Sequence, residues 1–590
     1  MVFRRITRII EVVLNERAVR ILIFNRKRIM KIQYLLYVSA ALSLASCNDA
    51  FLDREPQSIY DETFWNSVSD LKTYANAFYD ILPTGVVNLG DEDSDNQIPF
   101  HPNAFLWGQY SVPTEGGDTG NQYWSKDYWK NIRQLNYFMT HYQSVKAAEA
   151  DVNLYVAEIR FFRAWEYYSK IQTFGDVPWL EKDLSVDSEE LYGPKMPRNK
   201  VTEKIIEDLE FAITWLPEKG KEEINRLNKD VARHVLARIC LNEGTHYKYH
   251  DELGYGADVA GLLQKAADLT DELIKSAHYE IYKTGHPEKD YYNLFVMEDK
   301  SSLKEAILFI DYAKALREHN ACHWLRNAKS GWSKDFADSF LYLDGKPASA
   351  TSKSHVQNRT MAEEADERDP RFRQLILTSE DPYTMTADGN KTYITEDKNF
   401  VSAECPTGYW VRKYFNPDPS QDVEAKCTID GIAFRYAETL LINAEAKAEL
   451  GIITQDNLDE TINELRIRAG MPKLTMEVGF TDANWPEWGY DLSPLLQEIR
   501  RERRIELAGE GFRFADLKRW KAGKLLENPQ TYLGKYVQGE DGQFYQTIVY
   551  ANYATPDKSR KWNDKMYLYP IPLGELQRNP NLLPQNPGWE

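Results

Sequence analysis

Apolar residues recur at helical spacing in several separated stretches of the chain. Between 154 and 171, Ala157, Phe161, Ala164, Tyr168 and Ile171 step by four, three, four and three, which puts them on one face of a helix. Glu158, Arg160, Arg163, Glu166 and Lys170 lie largely off that stripe, and Gly175-Asp176-Val177-Pro178 supplies the turn that ends it. Similar patterns predict helices over 201–216, stopped by Pro217, over 230–242, 261–276 and 432–450, over 458–468 before Gly470, and over 495–508. Small residues such as Ala232, Ala237, Ala437, Ala444 and Ala448 permit close helix contact. The starts near 201, 230 and 261 recur at roughly the ~34-residue period of tetratricopeptide hairpins. The expectation is a scaffold of stacked helical hairpins with a degenerate repeat.

The pattern breaks between about 279 and 430, where short aromatic-rich segments alternate with Asp, Gly, Asn and Pro, and again over 85–121 and 528–565. Long irregular segments in a compact protein usually carry function, so the binding surface is expected there. The chain holds 15 Trp and 36 Tyr, side chains that pair an apolar plane with a polar handle and can stack on sugar rings. Trp107, Tyr110, Tyr291, Tyr292, Trp324 and Trp332 are the candidates for such a platform. For each taken singly, packing in the core is the commoner role.

The amino end has a different character. Arg26, Lys27, Arg28 and Lys31 precede the uncharged run from Ile32 to Ser46, too short to span a bilayer comfortably and built like a secretory signal peptide. Leu44-Ala45-Ser46-Cys47 looks like a bacterial lipobox, which makes Cys47 the expected lipidated first residue of the mature chain. Residues 1–29 carry eight basic and two acidic residues before a second methionine, and Met30 is the expected true start. Over all 590 residues, 72 Lys and Arg against 90 Asp and Glu give a net charge of −18, and removal of the basic leader makes the mature chain more acidic. Such a surface has no basic field for nucleic acid.

Catalytic signatures are absent: no GxxxxGK[ST], GxGxxG after a strand, HExxH or GxSxG occurs. A glycosidase needs only two carboxylates, so abundant acids leave a glycan-cleaving enzyme open as a rival. The loop Asp91-Glu92-Asp93-Ser94-Asp95-Asn96 offers hard oxygen donors but lacks the Gly and distal Glu of an EF-hand, and it reads as a solvated acidic loop. No metal or cofactor is expected. The charged run from Glu498 to Glu506, continued by Glu510, Arg513, Asp516 and Arg519, is explained most simply by ion pairing along a helix. With Cys47 assigned to lipid, an exported chain can oxidise cysteine pairs, and Cys405 with Cys427, the closest remaining pair in sequence, is the candidate disulfide, although connectivity cannot be read from spacing.

Ala157-Glu158-Ile159-Arg160-Phe161-Phe162-Arg163-Ala164 running to Phe174-Gly175-Asp176-Val177-Pro178 resembles a signature of the SusD/RagB family of surface lipoproteins. Further blocks follow in order: Cys47-Asn48-Asp49, Phe64-Trp65, Trp129-Lys130-Asn131-Ile132, Arg435-Tyr436-Ala437-Glu438, Asn463-Glu464-Leu465-Arg466-Ile467-Arg468-Ala469-Gly470, Glu502-Arg503-Arg504-Ile505-Glu506-Leu507, Arg513-Phe514-Ala515-Asp516-Leu517, and Gln585-Asn586-Pro587-Gly588. The resemblance implies a mainly α fold, with four tetratricopeptide-like hairpins under a loop-rich ligand face. It implies one unit over 47–590, with an N-terminal part about 47–240 and a C-terminal part about 279–590 interleaved on one scaffold, behind a signal peptide at 1–46. It implies a non-catalytic protein held by Cys47 at the outer membrane of a Gram-negative bacterium, facing outward. Its partners would be a glycan, or in some members a peptide, and a SusC-like TonB-dependent transporter. Ligand sites vary in this family, so no role is carried onto Trp107, Trp324 or Trp332.

Overall fold

The computed structural model describes residues 64–86, 90–101, 105–117, 123–327, 329–353, 360–396, 401–402, 404–549 and 560–590; Cys47 and the leader lie outside them. Residues 67–590 form one compact unit. Its labelled helices are α1 (Val68–Asn76), α2 (Lys126–His141), α3 (Glu149–Phe174), α4 (Arg198–Trp215), α5 (Lys229–Tyr249), α6 (Val259–Ser276), the short α7 (Ala321–Arg326), α8 (Tyr436–Glu449), α9 (Ile462–Arg468), α10 (Pro494–Glu506) and α11 (Arg513–Arg519). Strands are few and short: β1 (Gln97–Pro99), β2 (Ala306–Ile310), β3 (Ser330–Trp332), β4 (Pro382–Met385), β5 (Lys391–Tyr393), β6 (Gly431–Arg435), β7 (Leu533–Gln538) and β8 (Phe544–Ile548). They pair antiparallel as β1–β3, β2–β6, β4–β5 and β7–β8.

Local chemistry sets the helix ends. Ser125 accepts the Tyr128 amide at 3.1 Å, and Asn228 accepts those of Asp230 and Val231 at 3.0 and 3.1 Å, each satisfying amides that have no partner within the helix. Pro494 opens α10 behind the Ser493 cap, where its missing N–H costs nothing. Gly175 ends α3 at φ 73°, a conformation that favours glycine.

Consecutive helices pack against one another, α3 on α4 and α5 on α6, and α8 lies against both α6 and α10. The α3 stripe is buried as expected at Ala157, Phe161, Ala164, Tyr168 and Ile171. Several charged residues expected outside it are buried too, because α3 is covered on several sides by α1, α2 and α4. Each has a partner: Arg163 donates to both oxygens of Asp208 at 2.7 and 2.8 Å, Glu158 accepts from Arg226 at 2.5 Å, and the Lys170 ammonium reaches Glu166 at 2.5 Å and lies 3.9 Å from the Tyr128 ring centre.

Two predicted helices differ in the structure, and the charged run that continues the predicted 495–508 helix, found here as α10, does not stay in one helix. The run over 432–450 begins as β6, a buried strand of which four residues pair with β2, and becomes helical only at Tyr436. The 458–468 helix is split at Thr461, whose backbone at φ −124°, ψ −89° leaves the helical region. The charged run divides into α10 and α11 at a turn containing Gly509 and Gly511, at φ 76° and 80°. The Gly509 and Gly511 amides donate to the Asp91 carboxylate at 2.8 and 3.2 Å.

That contact corrects the reading of 91–96 as a solvated loop. Asp91, Asp95 and Asn96 are buried, and Asp95 is gripped by Arg513 through bonds of 2.7 and 2.8 Å. Its carboxyl is an internal counter-ion to the α10–α11 arginines. The cysteine expectation changes as well: Cys405 faces the Thr407 hydroxyl at 3.7 Å, whereas Cys427 lies 3.4 Å from Cys322.

Candidate functional site

The six candidate aromatics have different fates. Trp332 is fully buried, its indole N–H donating to the Leu375 carbonyl at 2.8 Å and its ring packed on Phe336 at 4.6 Å. Tyr291 is equally enclosed, donating to the Glu506 carbonyl at 2.6 Å and accepting from Lys413 at 2.8 Å. Trp107 belongs to a buried cluster with Phe105, Trp488, Trp520 and Trp562. These three hold the core together and offer no plane to a ligand. Tyr292 donates to the Phe415 carbonyl at 2.7 Å, and Arg412 covers its ring at 4.4 Å. Tyr110 is wedged edge-on against Phe105, Tyr569 and Trp589; burial pushes its phenol up to about 12, and its hydroxyl has no hydrogen-bond partner among the described residues.

Trp324 is the exception, with 55% of its surface exposed. Helix α7 turns Ala321, Cys322 and Leu325 inward; at 100° per residue that stripe leaves position 324 facing away from the core. Elements distant in sequence bond to the segment that follows it. The Tyr383 hydroxyl on β4 donates to the Arg326 carbonyl at 3.3 Å, the Phe100 amide beyond β1 donates to the Lys329 carbonyl, and the Ser330 amide donates to the Glu404 carbonyl at 3.3 Å. Phe100 is 40% exposed and Tyr393, on β5 opposite Pro382, 49%. These bonds tie together loop-rich segments that carry three exposed aromatics, Trp324, Phe100 and Tyr393, and the polar side chains Arg326, Lys329 and Glu404.

Electrostatics fit a face that meets neutral polar ligands. Burial pushes the Tyr383 phenol up to about 12, so it stays a donor at neutral pH. A hydrogen bond from the Ser402 side chain holds the half-buried Glu404 carboxyl below its usual value, aided by its own backbone amide and by Lys329, so it remains an acceptor. Glu92, half-buried beside Ser330, is pushed to about 7 chiefly by burial, with a hydrogen bond from Ser330 pulling it down and Asp93 pulling it up. Phe100, Tyr383, Tyr393, Arg326, Lys329 and Glu404 were not singled out from sequence. Their only signal in the sequence is the aromatic composition of these loops.

The charged run offers no acid or base for glycan cleavage. Glu506 accepts from Arg435 at 2.6 Å and from Arg468 and Arg371 at 2.5 and 3.1 Å, and Glu502 accepts from Arg371 at 2.5 Å and Arg466 at 3.1 Å. Burial alone would raise both carboxyls, but Arg468, Arg435 and Arg371 hold Glu506 well below the usual carboxylate range, and Arg371 and Arg466 lower Glu502. Most partners come from other elements, so ion pairing within the helix is replaced by pairing across the core. A separate cavity of about 420 Å³, lined by Glu298, Asp299, Asp311 and Asp430 beside Phe309 and Tyr312, has no open aromatic plane: Tyr312 is buried, and Phe309 packs on the core.

Comparison with known proteins places this architecture. Residues 275–589 match the model of the SusD family, and residues 50–241 match a family described as starch-binding, associating with the outer membrane. A SusD-like protein of Formosa agariphila is 26% identical over 586 residues, covering 95% of this chain and 100% of the relative. A SusD-like protein structure from Bacteroides fragilis superposes with a TM-score of 0.70 at 25% identity, over 90% of this chain and 99% of its own. A SusD-like carbohydrate-binding protein from the same species gives 0.67 at 23% identity, over 88% and 100%. The SusD model spans more than half of the chain and contains the α8–α11 core, β3 and α7, so the chain belongs to the SusD family.

Proposed function

We propose that this protein captures oligosaccharides or polysaccharides at the cell surface and delivers them to a SusC-like TonB-dependent outer-membrane transporter. The observation that carries the reading is the open plane of Trp324 among exposed aromatics and polar groups. An indole face covers the apolar side of a sugar ring, while Lys329 and Glu404 meet hydroxyls as donor and acceptor. A carbohydrate-binding relative with the same fold supports it. Attachment is assigned to a lipid on Cys47 by the lipobox-like Leu44-Ala45-Ser46-Cys47, in keeping with the family described as associating with the outer membrane. Capture without cleavage is the activity proposed, and no residue is assigned a catalytic role.

The delivery step is tested by affinity purification of the full chain from detergent-solubilised outer membrane. A TonB-dependent barrel is expected to copurify in near-stoichiometric amount, and to be lost with Cys47→Ala when that variant is not retained at the membrane. Recovery of the intact lipoprotein without any barrel would contradict delivery.

A further inference from the structure

Cys322 and Cys427 stand 105 residues apart in sequence and face each other inside the protein. An antiparallel bridge sets their segments side by side, His319 and Cys427 exchanging both backbone hydrogen bonds at 3.0 Å. Both side chains are fully buried and form a small cluster with Ile429. Their sulfurs are 3.4 Å apart, and small side-chain rotations close that gap to the ~2.05 Å of a disulfide. A second link lies beside them, Arg326 of α7 meeting Asp422 at 2.5 Å.

We propose that Cys322 and Cys427 form a disulfide in the exported protein, tying α7, and with it Trp324, to the segment that leads into β6. The pair is chemically asymmetric. The Cys322 S–H holds the Cys427 thiol down, with help from the His319 ring, while Cys322 itself is held up by sharing its proton with Cys427. The thiolate is the attacking species. Cys427 S⁻ therefore attacks the disulfide of an oxidant, oxidised glutathione or a thiol–disulfide oxidoreductase, giving a mixed disulfide and one released thiolate. Cys322 then loses its proton and attacks the Cys427 sulfur, expelling the second thiol. Two electrons and two protons pass to the oxidant. Both sulfurs are closed off once folding is complete, so the exchange takes place in an oxidising compartment while Cys322, Cys427 and His319 are already together and still open to the oxidant. Cys240 and Cys405 are buried with no cysteine neighbour among the described residues, and we expect them to remain thiols.

The test uses the full chain, expressed with its own leader into an oxidising periplasm, alkylated in denaturant without reductant, digested and mapped by mass spectrometry. Expected are a linked pair of peptides containing Cys322 and Cys427, and alkylated Cys240 and Cys405. Alkylation of all four, or a link through Cys405, would overturn the bond. Cys322→Ser should free Cys427 for alkylation, whereas Cys405→Ser should leave the link intact. The effect on Trp324 rests on the glycan reading and has its own readout: reduction should weaken glycan affinity several-fold in the parent chain and leave Cys322→Ser unchanged. Equal affinity in oxidised and reduced protein would overturn the positioning role. A complete lack of glycan binding would count against the function proposed above, and the peptide map would still decide the bond.

Discussion

Glu506→Gln is expected to lower the free energy of unfolding by about 3–5 kcal/mol, the range for removing one partner of a buried ion cluster. Glu506 is fully buried and accepts from Arg371, Arg435 and Arg468 together. The amide removes the charge that balances them and leaves guanidinium groups in a medium where an unpaired charge is costly. Arg435 keeps Glu510 at 2.7 Å and Arg371 keeps Asp369 at 2.7 Å, so the core loosens around the α8–α10 contact without losing every pair. Urea denaturation at neutral pH checks this as a fall in the transition midpoint. The pH dependence has a definite sign. The folded pKa of Glu506 is depressed by the arginines, so its stabilisation is present above the unfolded value of about 4.3 and fades as pH falls toward the folded one. Parent and variant stabilities should therefore converge on acidification below about pH 5.

Trp324→Ala is expected to abolish measurable glycan binding while leaving the unfolding midpoint nearly unchanged. Truncating a central aromatic anchor costs upwards of about 2 kcal/mol, roughly 30-fold in Kd, whereas an exposed side chain away from special contacts changes stability by about 0.5 kcal/mol or less. Trp332→Ala, eight positions on, is expected to do the reverse. It removes a fully buried indole and its bond to the Leu375 carbonyl, which costs about 3–5 kcal/mol of stability. Calorimetry with a binding glycan and thermal unfolding on both variants check the pair; a Trp324→Ala protein that binds like the parent would remove this residue from the site.

The contrast between those two tryptophans shows what the sequence could convey. Both sit in the same aromatic-rich stretch, and which one is exposed depends on geometry that composition does not encode: Trp332 ends a strand paired to β1, while Trp324 lies on the outer side of a helix less than two turns long. The α3 stripe was legible because five apolar residues keep one period over many turns. The start of 432–450 was not, since a short apolar run suits a buried strand as well as a helix. The acidic loop at 91–96 looked solvated because its counter-ions, Arg504 and Arg513, lie some four hundred residues away. Ion pairing in the charged run was anticipated, but its partners Arg371, Arg435, Arg466 and Arg468 become visible only when the fold brings them together.

The most direct measurement is calorimetry and affinity electrophoresis of the purified protein against a broad panel of polysaccharides and oligosaccharides, with released reducing ends assayed in the same samples. Binding of one glycan class, lost in Trp324→Ala, with no increase in reducing ends, is the expected result. Release of reducing ends from the bound glycan, or heat only from a peptide mixture with none from any glycan, would contradict capture of glycans as the function.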